Sequence, residues 1–310
     1  MNLSLEVFVE ALPLPASLNL AETVVVGLTL LTTLAIFVEM AFDALTRRAR
    51  NWRETLSTVM VAVPNQLVSF TVLPIVVGAG LTVVSRFAVA DLGFSPLVWL
   101  VGFVVVDFTY YWEHRIEHRM RVLWAHHSVH HSSIDFDLST SARIAWHDGF
   151  LAVVYLAPAV LLGFHPLMLA ALMNLVLLYQ VWVHTQKIDR VPLIEGWLNT
   201  PAAHRAHHAS NAPLIDRNYG GVLMIWDRLF GTWAEAPADE VIRYGLTVDT
   251  PSINPLHVNF GEYVHIARQL RRCSSLREVT LTLLGPPEWT LEHGFAATRT
   301  DSAWRKLPLA

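Results

Sequence analysis

Histidine recurs in this 310-residue chain at spacings that suit metal ligation: His114 and His118 in HRIEH, His127, His130 and His131 in HSVHH, and His204, His207 and His208 in HRAHH. Neutral imidazole is the commonest side-chain ligand of transition metals. Spacings of three and four place side chains on one side of a helix, so each cluster is expected to turn its histidines to one face. Eight candidates exceed the four positions of a single tetrahedral zinc site. The economical expectation is a cage for two ions. Imidazole ligation alone leaves ferrous iron and zinc both open.

The other chemistry-bearing residues are read around that cage. His184 follows an apolar run and is favoured over His147 to complete a metal shell, while His126 could stand in for His127. His165, His257, His265 and His293 are isolated, and surface or packing roles suit them better. Asp107 falls seven residues before His114, on the same helical face and inside an apolar run. A carboxylate in such a run is costly and usually functional or paired, and the expected use is to orient a metal-bound histidine through its second ring nitrogen. HRIEH also fits the H-x-x-E-H pattern of inverted zinc proteases, with Glu117 as general base. That reading leaves both H-x-x-H-H copies unexplained.

The elements that position these residues are apolar. Hydrophobic residues make up 53% of the chain and charged ones 15%, against roughly 25% charged in a soluble domain. Uncharged runs at Thr23–Val38 and Thr58–Ser85, and Ser95–Trp112 with only Asp107, read as membrane spans. Gly149–Phe164 and Leu167–Val183, broken by His165-Pro166, read as a helical hairpin that either crosses or buries its tip. The expected fold is all-α and polytopic, with four to five membrane helices and a cytoplasmic helical cap holding the metals. Its parts are N-terminal spans (1–95), a catalytic core (96–235, hairpin 149–184) and a cytoplasmic or membrane-surface tail (236–310).

Residues 1–46 carry no Lys or Arg, whereas Arg47, Arg48, Arg50 and Arg53 crowd the next loop. The positive-inside rule then puts the N-terminus outside and all three histidine clusters on the cytoplasmic face. The first span lacks a basic n-region and reads as a retained anchor in a bacterial inner or ER-type membrane. Residues 257–272 suit either an amphipathic surface helix or an ordinary packed one. The aromatic residues 110–112 and Trp124 suit an interfacial belt. A net charge of −4 without a basic stripe excludes nucleic acid as a partner. The single Cys273 excludes a disulfide framework and cysteine-held clusters.

The order HRIEH, HSVHH, HRAHH in a multi-spanning chain resembles the fatty acid hydroxylase/sterol desaturase superfamily of membrane-bound di-iron enzymes. The segments LWAHHSVHHSSIDFDLSTSAR (123–143) and LNTPAAHRAHHASNAPLIDRNYGGVLMIWDRLFGTW (198–233) look especially like its alkylglycerol monooxygenase branch. The branch typically has Glu after the second histidine, where this chain has Arg119. The resemblance implies two irons on His114, His118, His127, His130, His131, His204, His207 and His208, and O2-dependent attack on a lipid C–H bond. The product would be a hydroxylated carbon, a cleaved alkylglycerol ether, or the double bond of a sterol or fatty-acyl desaturase. No nucleotide, flavin, haem or iron–sulfur motif is present, so an external reductant is implied, whether ferredoxin, cytochrome or reduced pterin.

Overall fold

Residues 15–46, 50–237, 239–247, 252–291 and 294–295 are described by the computed structural model of the chain. Arg47, Arg48 and His293, weighed above, lie outside them, as do residues 296–310. Ten α-helices dominate the described residues, and the strands among these are Trp289–Thr290 and Gly294–Phe295, paired antiparallel. The chain is all-α, as its apolar periodicity implied.

Helices α1 (Ala16–Leu45) and α2 (Trp52–Ser85) are the two among the described residues that are long and apolar enough to cross a membrane. At 1.5 Å per residue they measure about 45 and 51 Å, against roughly 30 Å of bilayer hydrocarbon. Their apolar side chains point mostly outward: Leu30, Phe37, Leu67 and Phe70 are all exposed, as lipid-facing residues would be. Pro64 and Pro74 are accommodated inside a continuous α2.

Helix α3 (Pro96–Arg119) opens with Ser95 Oγ accepting the Val98 N–H and with Pro96 at its first position, a favourable start. It then runs unbroken from the third apolar run through HRIEH. Helices α5 (Ala152–Leu161) and α6 (Pro166–Tyr179) form the expected hairpin. With 10 and 14 residues they extend only about 15 and 21 Å, so neither helix alone spans the hydrocarbon. Against the expectation of four to five membrane helices, two described helices are long and apolar enough to cross, and a short hairpin packs among them. α6 lies against α1 and α3, and α5 against α2. Leu156, Val160, Met168, Leu169, Leu172 and Val176 from the hairpin meet Leu81 and Val106 in the main core. Gly102 lets α3 and α6 approach: a Cβ there would lie 3.1 Å from Leu172 Cδ1. Close approach through a small residue is the usual way membrane helices gain packing.

The bundle has two distinct ends. At one, the hairpin tip meets the α2–α3 connection: Val89 and Leu92 N–H donate to the Leu161 and Gly163 carbonyls. Gly163 turns there at φ +108°, and a Cβ would come within 2.5 Å of the Ala90 carbonyl oxygen. At the other end, α1 finishes in Glu39 and Asp43, both buried. Glu39 accepts from the Leu138 N–H, Thr185 and Lys187, and Asp43 from Arg50 and Lys187. Arg50 also reaches Asp137 at 3.0 Å and is almost wholly buried. It braces the α1–α2 corner to residues 137–139, whereas Arg53 stays exposed. Every histidine cluster lies toward this second end, on α3, on α4 (Arg121–His131) and on α7 (Pro201–His207).

Candidate metal centre

Each histidine motif divides between two groups. His114, His118, His127, His131 and His207 bring one ring nitrogen apiece within 4.8 Å of one another, and His130, His184, His204 and His208 do the same. The expectation that each H-x-x-H-H triplet shares one face is therefore corrected. On α4, His127 and His131 are a helical turn apart and face one group, while His130, rotated about 60° from His127, faces the other. α7 repeats the division: its last residue, His207, joins the first group, and His204 and the capping His208 join the second. Both helices straddle the seam between two centres. α7 is short but well started, with Thr200 Oγ1 accepting the Ala203 N–H and Pro201 at its first position. His184 comes from the turn after α6 and bridges His130 and His204, with Nε2–Nε2 separations of 3.1 and 3.0 Å.

These spacings fit shared ions. Two nitrogens about 2.1 Å from one metal lie roughly 3.0 Å apart at a right angle and 3.4 Å apart tetrahedrally. The observed Nε2–Nε2 separations are 3.1 Å for His114–His127, 3.2 Å for His127–His131 and 3.2 Å for His204–His208. The opposite ring nitrogens are committed elsewhere. His114 Nδ1 donates to the Tyr219 carbonyl (2.9 Å), His207 Nδ1 to the Arg217 carbonyl (2.8 Å), and His184 Nδ1 to the Gln180 carbonyl (2.7 Å). His127 Nδ1 lies 3.0 Å from Glu117 Oε2, and His118 Nδ1 lies 3.5 Å from Asp216 Oδ1. A neutral ring that donates through Nδ1 presents a bare lone pair at Nε2. Lone pairs of His114 and His127 thus converge with no proton between them, an arrangement that a cation relieves. His118 Nε2 and His207 Nε2 are buried without a hydrogen-bond partner. Orphaned buried acceptors of this kind call for a ligand.

Burial first, then neighbouring imidazoles, push His130, His131, His204 and His208 well below the ordinary imidazole range. Burial takes His207 down to about 3. All five are neutral in the fold at pH 7 and ready to ligate. Without metal the same shifts carry a stability cost in acid: below about pH 6.5 the unfolded chain binds protons that the folded chain refuses. Stability then falls as pH falls, by on the order of 1 kcal/mol per pH unit for each such histidine. Metal-stripped protein in detergent is expected to melt at progressively lower temperature from pH 6.5 to pH 5, and at nearly constant temperature from pH 7 to 8. Thermal melts after chelation check both slopes.

The partners that hold the rings were largely missed by sequence reasoning. Residues 216–219 supply three of them, and Asp216 and Asn218 both take positive φ, near +59° and +58°. Asp and Asn tolerate that region better than other non-glycine residues. Asn218 is pinned by bonds to the Ala203 and Ala234 carbonyls and from the Ala234 N–H. Buried Asp227 accepts the Tyr219 and Gly220 N–H groups and the Thr232 hydroxyl. Arg119 lies 3.8 Å from Asp216, so the residue that departs from the branch's glutamate faces an outer partner of His118. DRNYGG was visible in the sequence, but nothing there says that its carbonyls serve two histidines.

Other expectations change. Asp107 holds no histidine: it accepts the Val222 and Leu223 N–H groups and Trp226 Nε1 at 2.8–3.2 Å. It braces the loop that enters α8 (Ile225–Leu229), because α3 passes under that loop at Asp107, two turns before His114. His126 does not replace His127. It pairs with Glu117 at 2.8 Å, beside Asp148 and outside both histidine groups. His147 bonds Tyr263 at 2.7 Å, and His165 caps the start of α6. His265 sits near Glu262. Tyr111 is fully buried, stacked on Phe230 and bonded to Thr232, and Trp124 packs on His118 and His131. Trp124 therefore lines the centre, and Tyr111 packs behind it against Tyr219.

An all-α chain with long apolar helices and two convergent histidine groups at one end defines a class, the membrane proteins with a histidine-rich metal site. Comparison then places it within that class. Residues 99–232 match the fatty acid hydroxylase family model, the superfamily whose histidine motifs this chain resembles. It is 42% identical to alkylglycerol monooxygenase of Homo sapiens over 166 residues, which cover 54% of this chain and 37% of that protein. The Danio rerio alkylglycerol monooxygenase is 37% identical over 196 residues, 63% of this chain and 43% of that protein. An ornithine lipid hydroxylase of Rhizobium tropici is 29% identical over 155 residues, 48% of this chain and 45% of that protein. The matched part thus spans about two fifths of the length of these alkylglycerol monooxygenases. No solved structure matches the chain.

Proposed function

We propose that the chain is an integral-membrane di-iron oxidoreductase that uses O2 to oxidise a lipid C–H bond, with alkylglycerol ethers as the leading substrate class. The observation that carries this reading is the pair of histidine groups, five and four nitrogens converging at ligand spacing. The kinship with alkylglycerol monooxygenases supports iron over zinc and an ether lipid over a sterol or simple acyl chain. When bound, the two irons supply O2 reduction and hydrogen abstraction: one oxygen atom enters the lipid and the other leaves as water. Two electrons and two protons are consumed, the electrons from an external donor such as a ferredoxin, cytochrome or reduced pterin.

The chain's own residues fix and shield that chemistry. His114, His118, His127, His131 and His207 would hold one iron, and His130, His184, His204 and His208 the other. Glu117, Asp216 and the carbonyls of Gln180, Arg217 and Tyr219 orient the rings. Trp124, Phe136 and Tyr219 pack on the histidines and keep bulk water from the centre. In this reading 1–95 anchors the chain, 96–235 is catalytic, and 236–310 is a cytoplasmic or membrane-surface tail. α1, α2 and α3 cross the bilayer, and the hairpin fills the space between them. Exposed Arg53 favours the cytoplasmic side for the histidine end, with the N-terminus outside.

Metal analysis of detergent-purified protein from iron-supplemented cells tests the proposal. About two irons per chain are expected, with lipid hydroxylation under O2 and reductant, both lost in His127→Ala/His207→Ala. One zinc per chain that survives those substitutions would overturn it. Glu117→Gln separates the zinc-protease reading, in which Glu117 takes a proton from water. Both Glu117 oxygens are occupied by His126 and His127. The variant should therefore weaken metal retention by roughly 10–100-fold and leave no peptidase activity to lose.

A further inference from the structure

Helix α9 (Pro255–Leu270) has two faces of different chemistry. One is packed: Val258 sits with Val61 of α2 and Val129 of α4 in a small core, Asn259 Oδ1 accepts the Trp146 N–H, and Arg121 of α4 donates to Glu262 and Gln269. The other carries Leu256, Phe260 and Val264, spaced four apart and 59%, 41% and 43% exposed. Residues at that spacing share a helical face. The same strip runs on into Arg268 and Arg271, both exposed, and exposed Arg277 follows at the start of α10 (Leu276–Leu284). Three turns of exposed apolar surface ending in arginines is unlike an ordinary soluble surface.

Its place in the bundle says what covers it. α9 crosses α2 at Val61, where α2 itself exposes Leu56, Met60 and Val63. From Val61 to Ser85 α2 extends about 36 Å, close to the roughly 30 Å of bilayer hydrocarbon plus an entry into the headgroups. The level of α9 is therefore the membrane surface on the histidine side, beside the exposed apolar residues of α2.

We propose that α9 lies in the plane of the bilayer surface, with Leu256, Phe260 and Val264 among the acyl chains and Arg268, Arg271 and Arg277 against anionic lipid headgroups. An in-plane helix of this pattern buries its apolar face about 5–10 Å deep and gains from anionic lipid. The packed face then ties the bilayer to α4 through Arg121, on the helix that carries His127, His130 and His131. The inference rests on the membrane reading of α1 and α2, and the test separates the two.

Full-length protein with Cys273→Ser gives a cysteine-free background. Single cysteines at Phe260→Cys and Val264→Cys carry an environment-sensitive fluorophore in nanodiscs with nitroxide-tailed lipid. Phe70→Cys on exposed α2 reports the bilayer, and Asp189→Cys, with a 97% exposed side chain, reports water. The expected result is several-fold stronger quenching at 260 and 264 than at 189, with further quenching at 264 when phosphatidylglycerol replaces part of the phosphatidylcholine. Arg268→Gln/Arg271→Gln/Arg277→Gln should abolish that lipid dependence. Quenching at 70 but not at 260 or 264 overturns this proposal alone, and no quenching at 70 overturns the membrane reading with it. Labels at 260 and 264 that are shielded from water-borne quencher but untouched by lipid quencher, in a dimeric species, assign the face to a second copy and overturn the proposal. Equal quenching with and without phosphatidylglycerol overturns its electrostatic half.

Discussion

His184→Ala is expected to lower bound iron from two per chain toward one and to reduce turnover by more than about 100-fold, since loss of even an outer partner of a metal ligand costs 10–100-fold. The second group has only four nitrogens, and His184 is the member that links His130 to His204. Three remaining imidazoles hold an ion poorly, while the first group keeps all five of its own. The side chain lies at the end of a turn, with its neighbour Thr185 bonded to Glu39, so the backbone there is held independently of the ring. His265→Ala, near Glu262 and away from both groups, should keep two irons and full turnover. Elemental analysis and lipid turnover on the two variants decide the matter. Two irons and normal rate in His184→Ala would return the site to the eight motif histidines.

His184 also marks how far the sequence could be read. The eight motif histidines announced themselves through spacing, because i, i+3 and i+4 repeats of one residue type are rare and have a direct geometric meaning on a helix. His184 has no such signature, and only its position after an apolar hairpin singled it out. How the motifs would be shared was not legible. A triplet spaced 0, 3, 4 covers about 100° of helix surface, wide enough to serve one centre or to straddle two, and tertiary packing makes that choice. The length of α1 and α2 followed from composition. The shallow hairpin did not, since an apolar run of about 16 residues suits both a short span and a buried helix. Asp107 was misread because a buried carboxylate advertises that it needs partners without saying which. Here two backbone N–H groups and an indole supply them, ahead of any imidazole.

Asp227→Ala is expected to destabilise the protein by roughly 3–5 kcal/mol, because it strands two buried backbone donors and a hydroxyl at about 1–3 kcal/mol each. Asp227 is fully buried and holds the Tyr219 and Gly220 N–H groups at 2.8 Å and Thr232 Oγ1 at 2.6 Å. The chain is fitted closely to it: a Cβ on Gly220 would lie 2.9 Å from its Oδ2. Releasing that turn also frees the Tyr219 carbonyl that orients His114, so iron retention should fall by about 10–100-fold. Asp107→Ala supplies the comparison. It too strands three donors, but on residues 222–226, none of which touches a histidine ring. Its stability loss should be similar and its iron affinity unchanged. Thermal melts of the apo-proteins paired with iron titrations measure both quantities on both variants. Equal iron affinity in the two would show that the 216–219 turn holds its shape without Asp227, and that the ligand geometry is set by α3, α4 and α7 alone.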